Sequence, residues 1–321
     1  MGEFDLIDRF FKRPSRRADV GIGDDCALLS PRPGHQLALS ADMLVEGRHF
    51  LSTVNPAHLG HKCLAVNLSD LAACGAEPRA FLLSLALPRA DATWLQAFSL
   101  GLFALADAHN CELIGGDTTQ GPLNISITVI GDVPQGQALL RNGAQVGDDI
   151  YVSGTVGDAR LALEVFRGSL NLPEAVFASC RTRMEQPTPR VALGMALRGM
   201  ASAAADISDG LLGDLGHILR QSGVGAQLEV DTCERLLACR QDLTLSEAWR
   251  RTCVLSGGDD YELVFTAPPS RHADVQLAAQ ACQVPVTRIG TVTAPMGVTL
   301  LDAHGQPVNS HFPSFDHFTQ A

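Results

Sequence analysis

The sequence predicts an α/β (α+β) chain built as two α/β domains, and three observations carry that prediction. Its 321 residues correspond to about two domains of ~150 residues. Strand-like and helix-like patterns alternate along the whole length. A glycine-rich joint at 141–148 (RNGAQVGD) separates the halves, giving domains 1–148 and 149–321.

The elements follow in order. Residues 36–40 read as a short strand ending in a polar turn. Residues 60–75 (GHKCLAVNLSDLAACG) are helical in composition and close on a C-cap glycine. A strand is expected over 81–87, then a long helix over 93–110 with apolar residues at helical spacing. Leu113-Ile114 runs into Gly115-Gly116-Asp117, and 124–132 (NISITVIGD) alternates as a strand does. Past the joint, 149–153 (DIYVS) reads as a strand. Helices are expected at 159–166, 190–200 and 210–222, and strands at 226–230 and 262–267.

Composition narrows the function. Hydrophobic residues make up 46% and charged residues 18%, the balance of a folded globular protein. Net charge is −11 and aromatics are 5%, which argues against nucleic acid, since that partner needs a basic footprint and stacking platforms. The apolar run 80–87 is too short to span a bilayer. The start, MGEFDLIDRFF, is acidic and amphipathic rather than a secretory leader. Nine cysteines without a C-x-x-C pair read as buried small hydrophobes in a reducing compartment. The expected location is the cytoplasm.

Chemistry is carried by aspartates that follow glycine or serine: Asp24 and Asp25 in GIGDD, Asp42 in LSAD, Asp70 in NLSD, Asp117 in GGD, Asp206 and Asp209 in DISDG, Asp259 and Asp260 in SGGDDYEL. Each alone is an ordinary turn or N-cap residue. Recurrence at element ends is another matter, because such loops carry the sites of α/β folds. Two carboxylates about 4 Å apart repel by roughly 4 kcal/mol at an effective dielectric of 20, so a converging cluster requires cations. Hard oxygen donors suit magnesium, which completes its shell with water and substrate phosphates. Other phosphate machinery is missing. There is no G-x-x-x-x-G-K-[ST], and the two lysines, Lys12 and Lys62, follow no glycine-rich loop. The protein-kinase motifs and the G-x-S-x-G elbow are absent as well.

Seven segments, GIGDDCALL, LSADMLVEGRHF, HKCLAVNLSDLAACGAEP, LIGGDTTQGPL, RNGAQVGDDIYVSGTVGDA, DISDGLLGDLGHI and SGGDDYELVFT, resemble the thiamine-monophosphate kinase family in its order. That family sits within the aminoimidazole ribonucleotide synthetase-like superfamily. The resemblance implies ATP-dependent phosphorylation of thiamine monophosphate with several magnesium ions, and because the acceptor phosphate is already mostly ionised at neutral pH the transfer is expected to be direct. It also implies an N-terminal sheet pairing in a homodimer and a C-terminal domain closing over the nucleotide. By the same resemblance, Asp25, Ser40, Ala41 (through its backbone), Asp42, Asp70, Asp117, Asp206 and Asp209 match metal positions, with Asp42, Asp117 and Asp209 as the catalytic set. Gly116, Asp117, Arg141 and Ser208 match nucleotide contacts, and Arg141 has a guanidinium fork to grip phosphate where no lysine serves. His49, Asp259 and Phe315 match substrate positions. One departure stands out: the family motif reads SGGEDYEL, and Asp259 replaces its glutamate. Neither the N-terminal cysteine arm of a selenophosphate synthetase nor the C-terminal cysteine of the hydrogenase-maturation relatives is present. A binding module without turnover is the competing class; it would show affinity for nucleotide or divalent cation without ADP.

Overall fold

The computed structural model describes residues 2–242, 245–308 and 312. The chain forms two compact units, Met1–Leu71 with Ala76–Gly136, and Ala72–Gly75 with Gln137–Ala321.

The first unit contains α1 (Glu3–Phe10), β1 (His35–Val45), α2 (Pro56–Ala73), β2 (Glu77–Leu87), α3 (Ala92–Ala108), β3 (Glu112–Gln120) and β4 (Asn124–Pro134). Its sheet runs β1-β4-β2-β3, antiparallel except for the parallel β2–β3 pair. Alternation decides its faces. Ile125, Ile127 and Val129 of β4 and Phe81, Leu83 and Leu85 of β2 are buried, with Leu71 of α2 against Gly131. Helices α2 and α3 cross where each carries a glycine. A Cβ on Gly60 would stand 2.1 Å from the Phe98 carbonyl oxygen, and one on Gly101 would stand 1.8 Å from that of Ala57. Helix α3 starts on Asp91, whose carboxylate accepts from the Thr93 and Trp94 amides, as an N-cap does.

The opposite face is open. Leu37, Leu39 and Met43 of edge strand β1 are 41%, 64% and 55% exposed. By register they share that face with Ile130, Thr128 and Ser126, with Leu82 and Ser84, and with Asp117 on the far edge.

The segment before β1 is tied to one end of this sheet. Glu112 accepts from Ser15 Oγ and the Arg16 and Arg17 amides. Arg17 and Arg32 pair with Glu77, and Arg32 holds that carboxyl below the usual carboxylate range.

The second unit contains β5 (Asp149–Ser153), α4 (Asp158–Phe166), α5 (Glu174–Glu185), α6 (Val191–Ala196), β6 (Ala203–Asp206), α7 (Leu211–Ser222), β7 (Gly225–Glu229), α8 (Val230–Glu234), α9 (Glu247–Ser256), β8 (Leu263–Ala267), α10 (His272–Ala281), β9 (Val286–Thr293) and β10 (Gly297–Leu301). The sheet order is β10-β7-β9-β5-β8-β6, with only β10–β7 parallel. Ile150, Val152, Leu161, Leu215, Ile218, Val264 and Ile289 belong to its core. Both units are thus mixed α/β layers. Among the described residues no helix is long and apolar enough to cross a membrane.

Helix α2 and strand β2 start four residues earlier than expected, at Pro56 and Glu77, and three further elements differ from their sequence-based expectation. Strand β1 runs on to Val45 because β4 pairs with it along its whole length. Strand β3 continues through Gly115-Gly116 to Gln120; Gly116 has φ 144°, and a Cβ there would lie 1.9 Å from the Leu83 carbonyl oxygen, so the close approach requires glycine. The helix expected over 190–200 stops at Ala196, ahead of the left-handed Gly199. The segment 141–148 lies inside the second unit, where Ser222 Oγ accepts from the Gly143 and Ala144 amides at 3.1 and 3.2 Å.

Candidate active site

In the first unit, β1 and α2 bring together residues far apart in sequence. Ser40 and Asp42 alternate onto the helix-covered face of β1, opposite Val129 and Ile127. Asn67 and Asp70, one helical turn apart on α2, meet them. Ser40 Oγ donates to Asp70 Oδ2. The Asp42 amide donates to Asn67 Oδ1 at 3.1 Å, and Asn67 Nδ2 donates to the Cys63 carbonyl at 2.9 Å. Asn67 is fully buried and fixes the strand to the helix, a role the sequence reading missed although it sits inside the NLSD motif. The Ser40 hydroxyl and Asp70 carboxylate meet here, with Asp42 on the same face of β1, and oxygen donors of this type suit magnesium.

Asp117 stands apart from this group. Asp117 is exposed on β3, one position past Gly116. The row Asp42–Ile127–Leu83–Gly116 crosses the whole sheet, so Asp42 and Asp117 belong to opposite edges. Three strand spacings, roughly 14 Å along the sheet, separate those edges. Asp25 is exposed, and its amide bonds Asp24 Oδ1 at 2.9 Å. His49 follows β1 in a turn closed by the Glu46–Phe50 bridge. Its Nδ1 accepts from the Val45 amide at 3.0 Å, which leaves the neutral ring's proton on Nε2.

In the second unit, Asp206 ends β6 buried, and Ser208 and Asp209 form the turn into α7. Asp214, in the first turn of α7, gathers that loop. Its Oδ2 accepts the amides of Ser208, Asp209 and Gly210 at 3.0, 3.0 and 3.1 Å. Burial, with the Asp209 charge second, pushes its carboxyl up to about 7 against those three bonds. Residues 256–263 are knitted to the same loop. The Asp259 amide donates to the Ser208 carbonyl at 2.8 Å, the Tyr261 amide to Ile207, and the Ile207 amide to Glu262.

Asp259 and Tyr261 have φ of 72° and 53°. Aspartate, with its short side chain, enters this left-handed region more readily than glutamate, which gives the departure at this position a backbone rationale. The other acids of SGGDDYEL are structural. Buried Asp260 accepts the Gly157 amide through both oxygens at 3.0 Å, and burial raises its pKa well above the usual range. Glu262, fully buried, holds Arg183 at 2.9 Å and Arg190 at 2.5 and 2.6 Å, and accepts from Ser153 Oγ at 2.7 Å.

Arg141 sits near the other end of α7, where its carbonyl accepts from Ser222 Oγ. His217 on α7 feels both Arg141 and Asp209: burial leads in lowering its pKa, the arginines lower it further, and Asp209 opposes them. No motif had singled out His217 or Asp214, although both stand within the DISDGLLGDLGHI segment. Phe315 lies outside the described residues.

The chain is similar to known proteins over nearly its whole length. Residues 23–133 match the family model described as AIR synthase related protein, N-terminal domain, and residues 145–302 match its C-terminal counterpart. The chain is 46% identical to the thiamine-monophosphate kinase of Salmonella typhimurium, covering 99% of this chain and 98% of that one. Its fold is similar to a thiamine-monophosphate kinase crystal structure from Stenotrophomonas maltophilia, with a TM-score of 0.83 and 47% identity over 92% and 94% of the two chains. It is also similar to a structure of AaThiL complexed with AMPPCP and TMP, with a TM-score of 0.76 and 29% identity over 90% and 89%.

Proposed function

The chain belongs to the thiamine-monophosphate kinase family of AIR synthase related proteins, and from that premise we infer that it transfers the terminal phosphoryl group of ATP to thiamine monophosphate, giving thiamine diphosphate and ADP. The observation that carries this reading is the full-length identity to thiamine-monophosphate kinases. The hard-oxygen cluster of Ser40, Asp42 and Asp70 supports it chemically.

The acceptor is itself a phosphate ester with a second pKa near ~6, so its attacking oxygen is largely ionised at neutral pH. Such a nucleophile needs no strong general base and no covalent relay through serine or histidine. The difficulty is the approach of two polyanions. Magnesium, when bound, supplies the charge neutralisation that in-line phosphoryl transfer requires.

In the first unit we assign cation holding to Asp25, Ser40, Asp42, Asp70, Asp117 and the Ala41 backbone, and nucleotide contact to Gly116 and Asp117. In the second, Asp206 and Asp209 hold cations, while Arg141 and Ser208 contact the nucleotide. Asp42, Asp117 and Asp209 form the catalytic set. His49, with its proton on Nε2, donates to a substrate oxygen; Asp259 and Phe315 serve the same substrate.

We further propose a homodimer in which the open apolar face of β1 and its neighbours packs against that of a second copy. The exposed Leu37, Leu39 and Met43 support this, since a contiguous apolar sheet face marks an interaction surface. All nine cysteines are free, and every one but Cys26 is buried or half-buried, which supports the cytoplasm as its compartment.

The test is direct. Protein, magnesium and ATP are mixed with a panel of phosphorylated metabolites, and ADP is followed. Turnover is expected with thiamine monophosphate; nucleotide affinity without acceptor-dependent ADP would leave only a binding module.

A further inference from the structure

Three residues of the second unit, remote in sequence and unused by the proposed reaction, meet in its interior. Asp158 opens α4, Cys180 lies in α5, and Cys239 lies in the 3-10 turn Ala238–Asp242. One carboxylate oxygen and two sulfurs come within 4.8 Å of one another, and all three residues are buried. The two sulfurs stand 3.8 Å apart. Asp158 accepts long bonds from the Ala238 and Cys239 amides at 3.3 and 3.4 Å and is also a hydrogen-bond partner of the Cys239 side chain. Among the described residues no ion pair holds it.

We propose that Asp158, Cys180 and Cys239 bind one thiophilic divalent cation, zinc, as a structural staple. Two sulfurs each about 2.3 Å from a tetrahedral zinc lie about 3.8 Å apart, the separation found here. A disulfide would need the sulfurs about 2.05 Å apart and would give the carboxylate no part. Thiolate donors are wrong for magnesium and right for zinc, so the site is chemically separate from the aspartate clusters. Binding is balanced: one Zn2+ enters, two thiol protons leave to solvent, and two Zn–S bonds form. The exchange leaves the net charge of the trio unchanged, and no new buried charge is created. The hydrogen bond to Cys180, then burial, raises the Cys239 pKa, which favours its thiol form in the absence of metal. A cation here ties α4, α5 and the turn at 238–242 together. Gly157, next to Asp158, gives its amide to Asp260, so the staple adjoins the SGGDDYEL segment.

The test uses the full chain, purified reduced, stripped with a chelator and kept in excess magnesium. Zinc is titrated against a chromophoric chelator, and cobalt(II) is added in parallel. One zinc per chain, about two protons released and a thiolate-to-cobalt charge-transfer band are expected. Cys180→Ala and Cys239→Ala each weaken zinc binding by about tenfold or more, with circular dichroism unchanged. Zinc uptake unaffected by either substitution, or an intact mass lower by two hydrogens in the unreduced protein, overturns the proposal. If neither variant folds, the cobalt band of the parent decides: its absence overturns the site.

Discussion

Removing one carboxylate from a cation-holding cluster lowers cation occupancy and leaves the strand that carries it intact. Asp42→Asn and Asp117→Asn are each expected to lower turnover by about 10²-fold or more, with unfolding midpoints in magnesium-free buffer unchanged or raised. Steady-state rates at saturating magnesium check this, and near-parental rates count against the assignment. His49 gives a substrate-selective consequence. In the proposed site its Nε2 proton, fixed by the Val45 bond, is assigned to the acceptor, so His49→Asn is expected to raise KM for thiamine monophosphate more than KM for ATP. Equal effects return it to a turn residue. Asp260 supplies the pH dependence. Burial raises its folded pKa above the unfolded value, so its stabilising contribution is full below the ordinary carboxylate pKa and is lost as pH rises through the folded one. Denaturant melts of Asp260→Asn should therefore gain on the parent from pH 5 to pH 8; a constant gap would show that Asp260 does not titrate in this way. At this scale the aspartates were legible because Gly-Asp and Ser-Asp stand at element ends. Asn67, Asp214 and Glu262 were not, because their work is to hold other residues, and partners such as Arg183 and Arg190 lie some 70 to 80 positions away in sequence.

The covered face of the first sheet depends on how closely α2 and α3 approach. Both crossing glycines lie against backbone of the other helix, so no side chain can rotate away. Gly101→Ala is expected to destabilise by about 1–3 kcal/mol or more, read as a lower urea midpoint with unchanged slope; an unchanged midpoint would mean the helices separate at no cost. Elements with strong period, such as β2, α3, β4 and α7, were legible from alternation or helical spacing. Strand β3 was not, since glycines interrupt its pattern, and neither was α5, which buries only Cys180, Met184 and Glu185. The sequence pattern of strand β9 is interrupted by Gly290, whose missing Cβ lets the Gln227 carbonyl approach.

Across the whole molecule, the proposed dimer has a consequence that a monomer lacks. Asp42 and Asp117 occupy opposite edges and opposite faces of one sheet, and we propose that a site using both takes one from each copy of the proposed dimer. Mixing inactive Asp42→Asn and Asp117→Asn chains, with exchange of subunits, should restore up to about a quarter of parental activity through dimers with one intact site. No recovery despite exchange would place both residues in one chain's site. Neither the sheet order nor this separation could be read from the sequence, because pairing is non-local. The central claim is direct transfer to thiamine monophosphate, and a rapid-quench experiment with γ-labelled ATP and magnesium tests it most directly. The account predicts label passing from ATP into thiamine diphosphate with none on protein, with or without acceptor. Stoichiometric label on the protein that chases into product when thiamine monophosphate is added would contradict it.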